Sequence, residues 1–333
     1  MQTSRRTRQQ TLVLYVILFA ACWPVISQRK VCAEIQKTTY TYKHVGSLEI
    51  KADVYRANND TRRPVVVWIH GGALINGHRG GISGRLRDAF LKRNDIVVSI
   101  DYRLAPETQL PAIIRDVEDA FHWIRTQGPE LFGADPDRIA VVGGSAGGYL
   151  TLTAGFRVKP RPTVLVALWG YGDLVGDWYS TPSPHPRHQR VKMSREESWK
   201  QVSGPPISDS RQRPGNGGAF YQFCRRQGAW PHAVSGWNPG KQRDRFLAYM
   251  PVAHVTPEYP PTLLIHGQQD TDVPHEQSVM MAVEFRRHKV PHKLISIPRA
   301  EHGLSGGAPP LIDQAYDDAI QFIQQRLDAP PTP

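Results

Sequence analysis

The segment Gly143-Gly144-Ser145-Ala146-Gly147 has the residue types and spacing of a serine nucleophile held at a tight turn. The apolar run Ile139–Val142 precedes it and predicts a buried strand, while a helical pattern begins at Tyr149. A strand that reverses at once into a helix needs glycines beside the turn, because larger side chains would meet the backbone. The pattern predicts an exposed Ser145 hydroxyl, although glycine-rich turns of this kind also bind phosphate or simply pack closely.

A serine hydroxyl attacks a carbonyl carbon only with a neighbouring base, and that base needs an acid to orient it. In a doubly wound sheet such groups gather beyond the carboxyl ends of the strands. Asp270 and His302 each follow an apolar run that predicts a strand. The order Ser145, Asp270, His302 is the one that G-x-S-x-G hydrolases use for a catalytic triad. Asp272 stays open as the competing acid, and Glu301 is interpreted as a solvated neighbour.

The tetrahedral intermediate of such an attack carries negative charge, which backbone amides must stabilise. The amide of Ala146, directly after the serine, is one predicted donor of this oxyanion hole. The segment His70-Gly71-Gly72-Ala73 follows another apolar run, and the amides of Gly71 and Gly72 are the other predicted donors. Taken alone, H-G-G is more typical of a tight turn at the end of a strand. We expect His70 to fix this loop by hydrogen bonding.

The elements that must position these residues alternate between strand and helix patterns along the chain. This alternation predicts the α/β class, with a doubly wound, mostly parallel sheet and helices on both faces. An antiparallel hairpin over Thr38–Tyr55, turning at Gly46-Ser47, is expected to lead the sheet. The later predicted strands are Pro64–His70, Ile96–Ile100, Thr163–Leu168, Pro261–His266 and His292–Ile297, and the predicted helices are Pro111–Thr126, His275–His288 and Leu311–Leu327.

Residues 172–250 interrupt this rhythm with a stretch rich in Pro, Gly, Arg, Ser and Trp that has no clean period. A stretch of this length inside a compact domain is either a functional lid or disorder. We expect a lid-like insert whose aromatic residues line an acyl or aryl pocket. These residues are Trp178, Tyr179, Trp199, Phe220, Tyr221, Phe223, Trp230 and Trp237. The predicted organisation is therefore a leader over 1–33 and one domain over 34–333 that contains this insert.

The first 33 residues have the pattern of an export signal, with basic residues before the short apolar run Leu12–Phe19. The run is too short to predict a membrane span with assurance. An uncleaved anchor, or lipid attachment at Cys22, stays open as an alternative. The expected localisation is secreted or periplasmic, and membrane contact is expected only if the leader is uncleaved or lipidated.

Charge and cysteine content limit the classes of function. The 333 residues carry a formal net charge of +11, but five of these charges lie in residues 1–33, which contain no acid. The excess is not interleaved with any nucleic-acid-binding motif, so no nucleic-acid partner is expected. Of three cysteines, only Cys224 lies beyond the leader. It is expected to be a buried apolar residue, and no cofactor or metal site is predicted.

Several segments, taken together, resemble the α/β-hydrolase fold over residues 38–325. They are H-G-G-A at 70–73, D-Y-R-L-A-P-E at 101–107, G-G-S-A-G-G at 143–148, H-G-x-x-D-x-x-V-P at 266–274 and E-H-G at 301–303. The resemblance is closest to hormone-sensitive-lipase-like carboxylesterases and to acetyl-xylan or feruloyl esterase-like hydrolases. It implies Ser145 as nucleophile, Asp270 as orienting acid, His302 as base and then acid, and the amides of Gly71, Gly72 and Ala146 as the oxyanion hole.

The resemblance also implies that Asp101, Tyr102 and Arg103 support the site. The chain departs from hormone-sensitive-lipase relatives in two ways. Their usual N-terminal helical cap has no room before Thr38, and a long insert follows the strand Thr163–Leu168 instead. A substrate preference therefore does not carry over from the family.

These observations predict a serine carboxylesterase that hydrolyses small-molecule or carbohydrate esters through an acyl-enzyme. Small acyl groups are expected, with acetylated or feruloylated carbohydrate among the candidate substrates. One alternative is a prolyl-oligopeptidase-like peptidase, although such enzymes usually have a large extra domain. Another is a non-catalytic member of the fold that binds a ligand or partner, against which the complete set of triad residues argues.

Overall fold

A computed structural model describes residues 34–58, 61–190 and 192–329. The predicted leader, residues 1–33, lies outside these ranges. The strands are β1 Ile35–Val45, β2 Leu48–Ala57, β3 Arg63–Ile69, β4 Ile96–Ile100, β5 Ala134–Gly144, β6 Val164–Leu168, β7 Thr262–Gly267 and β8 His292–Ile297. The helices are α1 Gly84–Leu91, α2 Leu110–Thr126, α3 Gly128–Phe132, α4 Ala146–Arg157, α5 Asp177–Ser180, α6 Arg195–Lys200, α7 Gly218–Gln227, α8 Trp230–Ser235, α9 Arg243–Leu247, α10 Glu276–Arg287 and α11 Pro309–Leu327.

The strands form one sheet in the order β1-β2-β4-β3-β5-β6-β7-β8. β2 pairs antiparallel with both β1 and β4, and the pairs from β4 through β8 are parallel. The central parallel strands are almost wholly buried, as the continuous apolar runs predict. The α/β class, the mostly parallel sheet and the leading antiparallel hairpin are thus confirmed.

The leading hairpin turns over two residues, Gly46 and Ser47, because Val45 pairs directly with Leu48. Gly46 has φ +59, a left-handed conformation that glycine adopts without steric penalty. The turn therefore lies where the sequence predicts it, and it fixes the register of β1 against β2.

Both faces of the sheet are covered, and alternate residues of one strand serve the two cores. In β3, Val65 and Val67 belong to the core under α2, α4 and α10, whereas Val66 and Trp68 belong to the core under α1 and α11. Burying one such side chain contributes about 1.5–3 kcal/mol, so the sheet is strongly fixed in register. This rigid sheet holds the loops after β3, β5, β7 and β8 at one edge.

Residues 172–250 lie between β6 and β7 and, so far as the structure describes them, contain the short helices α5 to α9 and no strand. Their aromatic side chains form a stacked cluster. The ring of Tyr179 lies 3.6 Å from Trp178 and 3.8 Å from Trp230. Tyr179, Phe220 and Trp230 are at most 1% exposed and extend the main core. These three do not line an open pocket, because they are consumed in packing; the lid role of the insert stays a prediction.

Cys224 is a free, buried cysteine on α7, as the sequence predicts. Burial raises the pKa of its thiol well above the usual range, so it stays protonated and unreactive at neutral pH. None of the helices in the described ranges is long and apolar enough to cross a bilayer. In the same ranges, no group of three or more His, Cys, Asp or Glu side chains is arranged to hold a metal ion.

Candidate active site

Ser145 lies at the turn between β5 and α4 with φ 58 and ψ −121, a backbone conformation that few non-glycine residues adopt. Its amide donates to the carbonyl of Leu168 at 2.9 Å. A Cβ at Gly143 would lie 2.3 Å from the oxygen of Gly147, and one at Gly147 would lie 2.0 Å from the oxygen of Ile69. Both glycines are therefore sterically required, and the turn leaves the Ser145 side chain partly exposed.

Three predicted residues from separate loops meet beside this turn. His302 Nε2 lies 3.0 Å from Ser145 Oγ, and His302 Nδ1 lies 2.7 Å from Asp270 Oδ2. Because a carboxylate can only accept, these partners assign the hydrogen of the imidazole to Nδ1 and leave the Nε2 lone pair facing the hydroxyl. The loops follow β5, β7 and β8, whose carboxyl ends share one edge of the sheet. The arrangement can remove a proton from Ser145.

Asp270 is 93% buried. It accepts other hydrogen bonds besides the one from His302. Its Oδ1 accepts from the amides of Asp272 at 2.8 Å and Val273 at 2.9 Å, and its Oδ2 lies 3.3 Å from His266 Nε2. Burial by itself would raise the pKa of Asp270, but the hydrogen bonds with His266 and His302 outweigh burial and lower the pKa to about 2. The carboxylate is therefore ionised at neutral pH.

Asp272, the competing acid, is engaged elsewhere. Its Oδ1 accepts from Tyr221 Oη at 2.5 Å, Arg225 Nη1 at 2.8 Å and His188 Nε2 at 2.9 Å, all from the insert. Its Oδ2 comes no closer than 3.9 Å to His302 Nε2. Burial alone would raise the pKa of Asp272, but His188 and the neighbouring cations lower it well below the usual range. The structure thus brings Asp270, not Asp272, to the orienting position.

Glu301 links the loop that follows β7 to the loop that follows β8. This finding corrects its interpretation as a solvated neighbour. Its Oε2 accepts from the amides of Thr271 at 3.0 Å and His302 at 3.2 Å, and Arg187 Nη1 of the insert lies 3.2 Å away. Sequence reasoning also gave His266 no role, although its position four residues before Asp270 on β7 is a readable signal. Both residues help to hold the acid and the base in place.

The three predicted oxyanion donors lie in two segments beside the serine. A Cβ at Gly71 would lie 3.2 Å from Ser145 Cβ and 2.7 Å from the oxygen of Gly144, so this loop passes directly against the turn. Gly72 follows with φ +109, which a larger residue would not adopt without strain. The backbone amides of Gly71, Gly72 and Ala146 have no acceptor within the described ranges. The role of these three amides as an oxyanion hole stays a prediction.

Hydrogen bonds and ring stacking fix the segment His70-Gly71-Gly72-Ala73, which we call the oxyanion loop after its predicted role. His70 Nδ1 donates to the oxygen of Gly71 at 2.8 Å, and its ring stacks on Tyr102 at 4.2 Å. Burial lowers the pKa of His70 to about 4, so the imidazole is neutral. Trp230 Nε1 of the insert donates to the oxygen of Ala73 at 2.9 Å. The role predicted for His70 is confirmed, and the contribution of Trp230 was not predicted.

The other residues expected to support the site, Asp101, Tyr102 and Arg103, contact its neighbours and not Ser145, Asp270 or His302. Tyr102 Oη donates to the oxygen of His70 at 2.9 Å. Asp101 accepts from the amide of Arg79 at 2.6 Å, and Arg103 Nε donates to Asp116 at 2.7 Å. These contacts anchor the segment that follows β4 beneath the oxyanion loop.

Comparison with known proteins gives both family and fold matches. The family described as alpha/beta hydrolase fold matches residues 66–305. Esterase LipI of Mycobacterium tuberculosis is 40% identical over 109 residues, which are 32% of this chain and 34% of that protein. Esterase LipC of the same organism is 28% identical over 256 residues, 75% of this chain and 56% of that protein. The chain thus spans between about a third and just over half of these curated relatives.

A solved structure of the acetyl ester-xyloside bifunctional hydrolase from Caldicellulosiruptor lactoaceticus superposes with a TM-score of 0.63. The match covers 86% of this chain and 96% of that chain at 18% identity. At this identity the likeness establishes a shared fold.

Proposed function

The chain belongs to the α/β-hydrolase family that matches residues 66–305, and from that membership we propose that it is a serine carboxylesterase. The observation that carries the proposal is the hydrogen-bonded series from Ser145 Oγ through His302 to Asp270, with distances of 3.0 and 2.7 Å. The names of the relatives LipI and LipC, both esterases, support ester bonds as the target. The proposed catalytic residues are Ser145, His302 and Asp270.

In the acylation step, Ser145 Oγ attacks the ester carbonyl carbon while His302 Nε2 takes the hydroxyl proton. The ionised Asp270 stabilises the imidazolium that forms. The new oxyanion accepts hydrogen bonds from the oxyanion hole of Gly71, Gly72 and Ala146, where one donor contributes roughly 2.7–4 kcal/mol of transition-state stabilisation. His302 then protonates the leaving alcohol oxygen as the ester C–O bond breaks, and the acyl group stays on Ser145.

Deacylation repeats these steps with water as the nucleophile. His302 Nε2 takes a proton from the water while its oxygen attacks the acyl carbon, and the same amides receive the second oxyanion. When the bond to Ser145 breaks, His302 returns the proton to Oγ and the carboxylic acid leaves.

We extend the proposal to esters with small acyl groups, with acetylated or feruloylated carbohydrate as candidate substrates. A protein of the same fold is named an acetyl ester-xyloside bifunctional hydrolase, and we therefore choose acetylated xylo-oligosaccharide as the first carbohydrate to test. A panel of 4-nitrophenyl esters of increasing acyl length, beside acetylated xylo-oligosaccharide and methyl ferulate, measures the preference. Turnover that rises steadily with acyl length would contradict the small-acyl proposal.

The test of the reaction is Ser145→Ala, assayed with a chromogenic acetyl ester. The expected loss is several orders of magnitude, down to a residual rate about 10³–10⁴ above water. Ser203→Ala, at an exposed serine of the insert, is the matched control and should keep full turnover. A fluorophosphonate probe should add its mass to the wild-type protein and not to Ser145→Ala.

Two results would contradict the proposal. Undiminished turnover in Ser145→Ala would remove the serine from the reaction. Absence of both turnover and probe labelling in the wild type would favour a non-catalytic binding protein. Comparing the acetyl ester with a peptide anilide separates an esterase from a peptidase, because the proposal expects the ester to be hydrolysed far faster.

We also propose export from the cytoplasm, on the basis of the basic and then apolar pattern of residues 1–33. Expression with the natural N-terminus, followed by N-terminal sequencing of protein from the medium or periplasm, tests it. Material that begins within or directly after this segment supports cleavage. Full-length protein in the membrane fraction would instead support the uncleaved or lipidated leader.

A further inference from the structure

Trp169 directly follows β6 and has φ 39, a left-handed backbone conformation that few non-glycine residues adopt. Its amide donates to the oxygen of Ile265 on β7 at 2.6 Å. The next residue, Gly170, packs against α4, where a Cβ at Gly148 would lie 2.8 Å from Gly170 Cα. These contacts hold Trp169 in a strained conformation, and strain of this kind concentrates at functional sites.

The indole ring of Trp169 lies against the serine turn. A Cβ at Gly144, the residue before the proposed nucleophile, would lie 3.2 Å from both Cζ2 and Nε1 of the ring. Apart from adjacent residues, the three heavy atoms nearest to that Cβ position all belong to Trp169, and 3.2 Å is shorter than an ordinary van der Waals contact. Glycine at position 144 therefore makes room for the ring.

The same ring flanks the proposed base. The ring centroids of Trp169 and His302 lie 6.3 Å apart with their planes at 69°, an edge arrangement that aromatic pairs favour. His302 is also held to Asp270 through Nδ1 at 2.7 Å. A hydrogen bond at one ring atom fixes a point and not a plane, so the imidazole can still turn about it. A bulky side chain beside the imidazole limits this movement.

We propose that Trp169 is a positioning residue for the serine esterase reaction proposed above, on which this inference rests. Its ring lies beside both the serine turn and the imidazole, and it keeps His302 Nε2 at its distance of 3.0 Å from Ser145 Oγ. In the proposed cycle Nε2 must also reach the leaving alcohol oxygen and then the attacking water. A misplacement of about 1 Å in such a group costs about 10²-fold in rate.

The experiment compares Trp169→Ala with the wild type by steady-state kinetics on an acetyl ester. We expect kcat to fall by roughly tenfold to a hundredfold with KM little changed, because the ring acts on the proton transfers and not on substrate binding. Trp169→Phe restores a ring at this position and should recover most of kcat. Phe322→Ala is the matched control, because Phe322 is a partly buried ring packed against the same core as Trp169, and it should keep kcat.

The rate of labelling by a fluorophosphonate gives a second readout. The probe reacts with Ser145 and releases fluoride instead of an alcohol, so its rate reports the serine–histidine pair and not the fit of the ester. Labelling should be slower in Trp169→Ala and should recover in Trp169→Phe. Unchanged labelling together with a raised KM for the ester would mean that the ring binds the substrate, and it would overturn the positioning role.

Gly144→Ala tests the same contact from the serine turn. The new Cβ should displace the indole without removing it, so kcat should fall in this variant but should not fall further when Gly144→Ala is added to Trp169→Ala. Equal effects in the two backgrounds would contradict the inference. Circular dichroism and the thermal midpoint check folding. If Trp169→Ala does not fold, Gly144→Ala decides alone, and full kcat and full labelling rate in that variant would overturn the inference.

Failure of this inference and failure of the proposed function give different results. A wild type that hydrolyses the acetyl ester, beside a Trp169→Ala variant with undiminished kcat, would overturn only the role of Trp169. A wild type that neither hydrolyses the ester nor reacts with the probe would overturn both.

Discussion

The sheet with its helices and the insert over residues 172–250 differ in their charge. The described scaffold is built from alternating apolar residues, and residues 34–171 and 251–333 together contain 24 basic and 24 acidic residues. The insert contains 12 basic and six acidic residues, so it carries the whole net charge of +6 that lies beyond residue 33. The scaffold is therefore neutral overall, and the excess positive charge beyond residue 33 lies in the insert.

The two regions also divide the work at the candidate site. The scaffold provides every proposed catalytic atom, from Ser145 to His302. The insert provides bonds to both functional loops, including Trp230 to Ala73 of the oxyanion loop and Tyr221 to Asp272 of the acid loop. The insert therefore stabilises, through these hydrogen bonds, the scaffold loops that contain Ala73 and Asp272. Removing a proposed catalytic group of the scaffold should lower activity, and removing a hydrogen bond that joins the insert to these loops should lower stability.

Asp270→Asn should separate the proposed catalytic role of the scaffold from the stabilising role of the insert most clearly. It has the largest expected effect. We expect turnover of an acetyl ester to fall by about 10⁴, because the amide no longer fixes the imidazole tautomer or stabilises its charge. Asp272→Asn is the matched control, since Asp272 faces the insert, and it should keep far more turnover. Steady-state kinetics on folded protein measures both. Equal losses would mean that the two acids share the orienting role.

Gly147→Ala tests how tightly the scaffold is packed at the serine turn. The new Cβ would lie 2.0 Å from the backbone oxygen of Ile69, and we expect a loss of about 3 kcal/mol in the free energy of unfolding. Gly204→Ala in the insert is the control, because no atom lies within 4 Å of its Cβ position. It should change stability by less than about 0.5 kcal/mol in urea titrations. A mild effect of Gly147→Ala would show that the turn can relax.

Tyr221→Phe tests the hydrogen bond that joins the insert to Asp272. It removes a 2.5 Å hydrogen bond to the ionised Asp272, which should lower the free energy of unfolding by about 1.5–3 kcal/mol. Tyr40→Phe is the comparison, because its hydroxyl makes an exposed 3.3 Å bond to Leu131 and should matter less. If the two variants unfold at the same urea concentration, the polar bonds of the insert contribute little.

The smallest expected effect is a difference between the wild type and Asp272→Asn in how stability depends on pH. The pKa of Asp272 is lower in the folded protein than in the unfolded chain, so its contribution is present above the unfolded value, about 3.9, and is lost as pH falls below it. Asp272→Asn removes this contribution, so its thermal midpoint should fall less steeply with acidification than that of the wild type. Thermal scans between about pH 6 and about pH 3 measure the slopes. Identical slopes would contradict the inference that His188, Tyr221 and Arg225 stabilise the ionised form of Asp272.

Much of the scaffold could be predicted because its signals are local. The strand β4 falls at the predicted Ile96–Ile100, and α2 begins one residue before the predicted Pro111. The serine turn was readable because Gly143 and Gly147 are needed within two residues of Ser145. Glu301 was misread because a single acidic residue in a loop carries no local sign of its partners, which come from Thr271 and from Arg187 of the insert.

The sequence by itself determined the class of the sheet, the position of the proposed nucleophile and the order of the three proposed catalytic residues, because periodicity and glycine spacing act over a few residues. Only the tertiary structure showed that Asp270, and not Asp272, contacts Nδ1 of His302. That difference depends on Tyr221, 51 residues before Asp272, and on Arg225, 47 residues before it. Such pairings arise when packing brings distant segments together, and no pattern in either segment encodes the distance between them.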